Sequence, residues 1–563
     1  MTNDVVLGTK KGTTTAVTLD RRSRSTHLHV VGASNSGKSN LLEHMIRQDI
    51  KAGRGLCLID PHGTLYGRLV SWCALNEINT WRKIHLFEPS ATQWAFGFNP
   101  IQFGSDRRTM DFSVDAVVNV FAQVWGSADM NQTPLLKRCL KLTLYALASN
   151  NLTLLEARDF TASGDIEGLR RKLTGALGDA VLQGEWDELN ALPERRFSEV
   201  FFSTNNRMFS FLASEVVSTM VGQQQHVLDV GSLMANSETM LVDLSSGTQA
   251  FSRENAQLVG SLLVNDLLLK ARSRPVGAKP FYLYIDECYR YLNDDIEDIL
   301  FEMRKFGLHL VLAHQDLSQL RRRGESLYSA VMGGAQTKVV FRVGGMEDAT
   351  TLATDLTAGA VNYEEAKKSF ISYQTTGHSV TWLENEAQNR SSTSSTQIND
   401  VEGGGETTAE SSPEDGDADD VRRTTTSSTN ASRSTVTANS DTVADTRGRS
   451  QALQPDIVAT NQQGYALPEI IHREAGKLTK QAIGEAVVKT PGGESVSVIV
   501  PRIRDLGNSE EMQEMIAAFK ETVLSESTFT SPITQARQEI AVRQRRIRGE
   551  EVSPGKNPDD FLY

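Results

Sequence analysis

Lys38 and Ser39 close a six-residue loop, Gly32, Ala33, Ser34, Asn35, Ser36 and Gly37, that follows two valines. The spacing GxxxxGK[ST] is that of a phosphate cradle. Glycine at both ends lets the backbone turn where a Cβ would obstruct it. Inward-facing N–H groups and the dipole of the following helix then attract an anion. In such a loop the lysine reaches the β- and γ-phosphates of a nucleoside triphosphate and the serine hydroxyl takes Mg²⁺. The expected ligands are ATP and Mg²⁺, with residues 32–39 holding the nucleotide and Ser39 the metal.

A second set of residues supplies chemistry to such a loop. The stretch PFYLYIDECYRYL, residues 280–292, is an apolar strand that ends in Asp286 and Glu287. A carboxylate at the C-terminal end of a parallel strand can share the Mg²⁺ of Ser39, which is the Walker B role. Its neighbour Glu287 projects differently and can act as a general base on water. The next strand, LHLVLAHQDLSQL, ends in His314 and Gln315, and a polar tip there is placed to sense the γ-phosphate. Arg304 and Lys305 end a helix just before Gly307, where the helix dipole favours cations in any case.

These residues need a parallel sheet to position them. Strands are expected at 27–31, 55–60, 83–88, 239–244, 281–287, 308–314 and 338–343. Several are continuously apolar, as strands covered on both faces are. Helices between them, beginning with 39–50, complete an α/β layer. From about 105 to 225 the pattern turns helical, without a convincing strand. The segment 388–451 is rich in Ser, Thr, Gly and Asp, with few large apolar residues. Its composition predicts a disordered linker.

Composition narrows the class. The chain has 563 residues and a net charge of −12, so no global basic field advertises nucleic acid; a ring can still keep basic residues in a channel. Four cysteines without CxxC spacing point away from zinc sites and disulfide frameworks. No apolar run reaches the roughly 20 residues that span a bilayer, and no signal peptide is visible. The expectation is a cytoplasmic protein without a transmembrane anchor.

Taken in order, GASNSGKS, LIDPHG, FNPI, YIDECYRYL, EMRKFGLHLVLAHQDLSQL and FRVGGMEDATTLATDL resemble the HerA/FtsK superfamily of DNA-pumping ATPases, and within it the conjugative coupling-protein branch of type IV secretion. The likeness covers about residues 25–357. It implies a RecA-like P-loop core interrupted by a helical domain, a hexameric ring, and DNA threaded through the centre. It gives Lys38 and Ser39 the phosphate and Mg²⁺ roles, Asp286 the metal and Glu287 the base. It makes Gln315 the γ-phosphate sensor and Arg304 an arginine finger entering a neighbour's site.

The expected organisation is 1–104 and 226–387 as the two parts of the ATPase core, 105–225 as the inserted helical domain, 388–451 as the linker, and 452–563 as a C-terminal α/β segment with an Arg-rich tail. The expected function is an ATP-dependent, DNA-stimulated translocase with a relaxase or secretion component as partner. The alternative is a ring NTPase that regulates a partner nuclease in anti-phage defence. Coupling proteins anchored in membranes begin with transmembrane helices, and HerA proteins with a small β-barrel; only about 25 residues precede the P-loop strand here, too few for a domain of that kind.

Overall fold

The computed structural model describes residues 4–91, 93–101, 107–125, 134–162, 164–165, 168–175, 177–246, 251–292, 300, 302–358, 373–389, 399–410, 423–434, 444–459, 467–507 and 509–550. They fall into two compact units, 1–361 with 468–563, and 362–467.

The first unit is built on one sheet of eleven strands. In chain order its strands, with one short strand beside it, are β1 (Val5–Lys10), β2 (Ala16–Leu19), β3 (Leu28–Val31), β4 (Gly55–Asp60), β5 (Ile84–Phe87), the separate β6 (Trp94–Phe96), β7 (Thr239–Asp243), β8 (Phe281–Ile285), β9 (Leu308–His314) and β10 (Thr337–Phe341). β10, β3, β9, β8, β4, β7 and β5 lie side by side in that order, all parallel. Every residue of β3, β4, β8 and β9 is buried, which is why these segments lack polar alternation. Register aligns Val31 with both His314 and Val340. The C-terminal ends of the central strands therefore form one edge.

The interval 107–221 is helical among its described residues, from Arg107–Trp125 to Glu215–Val221, with no strand. Its core is aromatic: the Trp186 ring lies 5.9 Å from Phe160 and 5.9 Å from Phe201. These helices and the sheet form one compact unit.

Three expectations change. Residues 452–563 do not form a segment apart. After the helix Leu467–Thr479 the chain returns to the sheet as β15 (Glu485–Lys489) and β16 (Val496–Ile499), joining β10 antiparallel and leading to β1 and β2. β-Branched and apolar residues in AVVK and VSVI favour strand, yet the distant partners are β10, some 150 residues earlier, and β1, some 490 earlier. The Arg-rich helix Ile533–Arg548 is not a free tail either. Arg543 pairs with Glu156 at 2.7 Å and Arg548 with Asp159 at 3.6 Å, and Arg537 pairs with Glu215. Finally, the 388–451 segment contains paired backbone. In the second unit β11 (Tyr373–Asn389) pairs with β14 (Ala444–Ala459), and β12 (Asn399–Glu410) with β13 (Arg423–Ser434), both antiparallel. Threonine-rich sequence is strand-prone. A chain too polar for a core can still satisfy its amides by pairing with itself, which composition alone does not register. The unit boundary accordingly falls at 361 instead of 387.

Candidate nucleotide site

The loop 32–37 leaves β3 where its neighbours grip it: Gly32 N–H donates to His314 O (3.3 Å) and Ala33 N–H to Arg342 O (2.7 Å). A Cβ on Gly32 would lie 2.5 Å from Phe341 Cβ, so only glycine admits this approach. Asn35 (φ 58°) and Gly37 (φ 119°) take left-handed conformations, and the helix Lys38–Lys51 starts directly after Gly37. The Lys38 ammonium donates back to Gly32 O (2.5 Å) and Ala33 O (3.2 Å). Burial lowers its pKa, opposed by the negative charges of Asp286 and Glu287.

The strand that supplies those carboxylates is fixed to the loop helix from below. Asp49 on the helix is fully buried and accepts two 2.7 Å hydrogen bonds from Arg24, one of 2.8 Å from Arg54 and one of 2.5 Å from the Tyr284 hydroxyl on β8. Arg24 also stands 3.5 Å over the Tyr282 ring. A buried ion pair with this many hydrogen bonds sets the helix against β8.

Past β8 the chain turns sharply. Asp286 N–H donates to Ile59 O (3.1 Å), and Glu287 sits at φ 49°, a conformation uncommon for a residue with a side chain. Glu287 is 3% exposed. Its Oε1 accepts from Gln315 Nε2 at 2.7 Å, and Gln315 Oε1 accepts from Ser34 Oγ at 2.8 Å. A continuous chain of hydrogen bonds thus runs from the phosphate loop through Gln315 to Glu287. Burial raises Asp286 to about 7, with the Asp60 and Glu287 charges adding to the effect and Lys38 opposing it.

Asp60 was not singled out in the sequence, although it ends the strand beside β8. It is fully buried and accepts from the His62 and Tyr66 amides at 2.9 and 2.8 Å. The legible signal was a carboxylate closing an adjacent apolar strand in LIDPHG. The C-terminal residues at the loop were beyond sequence reasoning. Gly484 N–H donates to Ser36 O (2.8 Å), and the Asn40 amide bridges Pro501 O (2.6 Å) and the Ile503 N–H (2.9 Å). Below Gln315, His314 Nδ1 faces Asp316 O (2.9 Å) and its Nε2 faces His29 Nε2 (2.6 Å). A neutral His314 therefore donates through Nδ1 and accepts from His29. Burial, pushing His314 down to about 4, keeps it so.

Ser39 is half-buried on the first turn of the helix. The geometry brings together Ser34, Lys38, Asp286, Glu287 and Gln315, with Asp60 added. It does not bring Arg304. That residue is exposed in the turn Met303–Phe306, before β9 begins, whereas the loop lies beyond the opposite ends of β3 and β9. Seven residues of β9 separate the ends by roughly 20 Å. Arg304 has no ion-pair partner among the described residues.

Whether the residues suit ATP and Mg²⁺ is tested by what they leave unsatisfied. Ser36 Oγ and Glu287 Oε2 are buried without partners, and the loop carries the two glycines a phosphate cradle needs. Burial and the neighbouring Asp60 and Glu287 charges raise Asp286 to about 7, an arrangement that a cation would relieve. No group of three His, Cys, Asp or Glu suited to a metal occurs among the described residues. Mg²⁺ at a nucleotide asks for less, one or two protein oxygens beside phosphates and water. The set fits.

Fold and site together define a RecA-like P-loop NTPase architecture. A family model described as the TraM recognition site of TraD and TraG matches residues 280–402. Among solved structures, the unbound bacterial conjugative coupling protein TrwB, in its TrwBdeltaN70 form, aligns with TM-score 0.51 and 14% identity over 88% of this chain and 89% of that one. TrwB in complex with the ATP analogue ADPNP aligns with TM-score 0.51 and 14% identity, over 90% and 91%. TrwB with ADP and Mg²⁺ gives 0.50 and 14%, over 87% and 89%. The chain has the fold of the conjugative coupling proteins, as the motif resemblance implies. No curated protein matches it in sequence. No helix among the described residues is long and apolar enough to cross a membrane.

Proposed function

We propose that the chain is an ATP-hydrolysing DNA translocase of the coupling-protein type, working as a ring, most simply a hexamer, in conjugative or mobile-element DNA transfer. The observation that supports this best is the Ser34–Gln315–Glu287 chain, which connects the loop that would hold the phosphates to the carboxylate that would act on water. A scaffold that only bound nucleotide would have no use for it.

In this reading the amides of 32–37 and the Lys38 ammonium bind the phosphates, with Lys38 leaving the Gly32 and Ala33 carbonyls to do so. Ser39 and Asp286 would hold Mg²⁺, which would supply neutralising positive charge to the phosphates. Glu287 takes a proton from water through the Oε2 that has no partner, while Gln315 fixes the other oxygen. Gln315 is joined to Ser34, so a change at the loop reaches the β9 tip. Arg304, too far to serve its own subunit, completes the site of a neighbour. Residues 280–402 would engage a TraM-like or relaxase partner, and the cytosol is the proposed compartment. The coupling-protein fold and the TraM-recognition match support this pathway over nuclease regulation.

The test is ATP hydrolysis by the purified chain with and without DNA, with its mass in solution measured alongside. Turnover that DNA accelerates, in a species of several subunits, is the expected result. An active monomer indifferent to DNA would overturn the reading.

A further inference from the structure

Beside the nucleotide site lies a second concavity of about 360 Å³, at the lower end of the range for small-ligand pockets. Four arginines line it: Arg253, Arg290, Arg322 and Arg323, together with Tyr289 and Gln319. Among the described residues that line it there is no carboxylate. Arg253, Arg290 and Arg322 have no ion-pair partner among the described residues. In a chain with net charge −12, four arginines on one concavity make a local positive field that suits an anion. The first turn of the 20-residue helix Arg253–Arg272 adds its positive end to the same wall.

The cavity is also tied to both catalytic elements. Arg290 follows Glu287 by three residues. Arg322 and Arg323 follow the short helix Leu317–Arg321, next after Gln315. Arg323 bridges the two, donating to Tyr289 O (2.9 Å) and Arg290 O (3.1 Å). Gln319 Oε1 accepts from the Gln315 N–H at 3.0 Å. The helix Arg253–Arg272 is pressed onto the same turn, for a Cβ on Gly260 would fall 2.4 Å from the Tyr291 ring. These contacts would carry the effect of an anion bound here to the backbone of Glu287 and Gln315.

We infer that this cavity binds the phosphodiester backbone of single-stranded nucleic acid and couples that binding to hydrolysis. The proposal rests on the translocase reading and adds the place of contact. The cavity has room for about one nucleotide but not for a duplex, and Tyr289 offers an unpaired base an aromatic face.

The experiment compares wild type with Arg253→Ala/Arg322→Ala, two exposed positions outside the catalytic set, using a fluorescent 30-mer single strand, a 30-bp duplex and inorganic phosphate as probes. Arginine contacts to a charged group are worth tenfold or more each, so single-strand affinity should fall at least about tenfold. The slope of log affinity against log salt should flatten by about 1.4, from ~0.7 per contact. Basal ATP hydrolysis should persist while its acceleration by the single strand is lost, and Arg322→Lys should retain most binding. Wild-type binding left unchanged by the double substitution sinks the cavity while leaving the translocase intact. Loss of duplex or phosphate binding with single-strand binding preserved also overturns the assignment. A wild type that binds no DNA defeats both proposals.

Discussion

Gln315→Ala isolates the link between phosphate loop and base. Gln315 holds Glu287 by one 2.7 Å hydrogen bond and reaches the loop only through Ser34 at 2.8 Å. A hydrogen bond to a charged partner is worth about 1.5–3 kcal/mol. If it serves to aim Glu287 at water, its loss should lower kcat by about ten- to hundredfold. Nucleotide affinity should move by less than about threefold, because the phosphate-binding amides and Lys38 are untouched. Ser34→Ala removes only the outer, neutral link, about 1 kcal/mol or roughly fivefold. Because both act through one chain, the double substitution should cost no more than Gln315→Ala alone. Steady-state kcat and KM for the four proteins, with nucleotide binding by calorimetry, decide the matter. A Gln315→Ala enzyme within threefold of wild type, or a loss confined to KM, would refute the role. Fully additive losses would show that Ser34 and Gln315 act separately.

Other outcomes follow from the same geometry. Asp49→Asn leaves Arg24 buried with its charge uncompensated and should destabilise the fold by about 3–5 kcal/mol, read as a fall in urea midpoint; less than 1 kcal/mol would mean the network does not hold the helix to β8. Asp286, raised to about 7 from an ordinary carboxylate value, binds its proton more tightly folded than unfolded, so its contribution to stability is lost as pH rises toward 7. Without metal, Asp286→Asn should therefore become more stable relative to wild type between pH 5 and 8; a gap that shrinks contradicts this. Arg304→Ala should bind ATP and assemble yet lose most hydrolysis, and mixing with excess Lys38→Ala should return some activity. If subunits demonstrably exchange and no activity returns, Arg304 does not act across an interface.

The parallel core was legible because each element declared itself locally. HLHVV before GASNSGKS, and FYLYI before Asp286-Glu287, carry strand, turn and chemistry within a dozen residues. What stayed hidden depends on distant pairing. Nothing in AVVK or VSVI says that they extend the sheet beyond β10, or that Gly484 and Pro501 then reach Ser36 and Asn40. Ser34 was legible only as a member of the 32–39 nucleotide loop, since its bond to Gln315 spans 281 positions. Nothing in RRRG marks a cavity, because Arg253 and Arg290, which line it with Arg322 and Arg323, come from distant parts of the chain. Arg304 shows the opposite limit: its motif position was readable, but its distance from its own loop belongs to the strand register. In threonine-rich 388–451 the burial argument says nothing of backbone that pairs without a core, as the described strands do; 390–398, 411–422 and 435–443 lie outside the described residues.

The most direct measurement is single-turnover ATP hydrolysis by Glu287→Gln beside its nucleotide affinity. The substitution keeps the shape and the hydrogen bond to Gln315 but removes the base, a loss of about 10²–10⁴ in rate. The account predicts ATP–Mg²⁺ binding close to wild type with hydrolysis slowed at least about a hundredfold. Hydrolysis at the wild-type rate in that variant would contradict it.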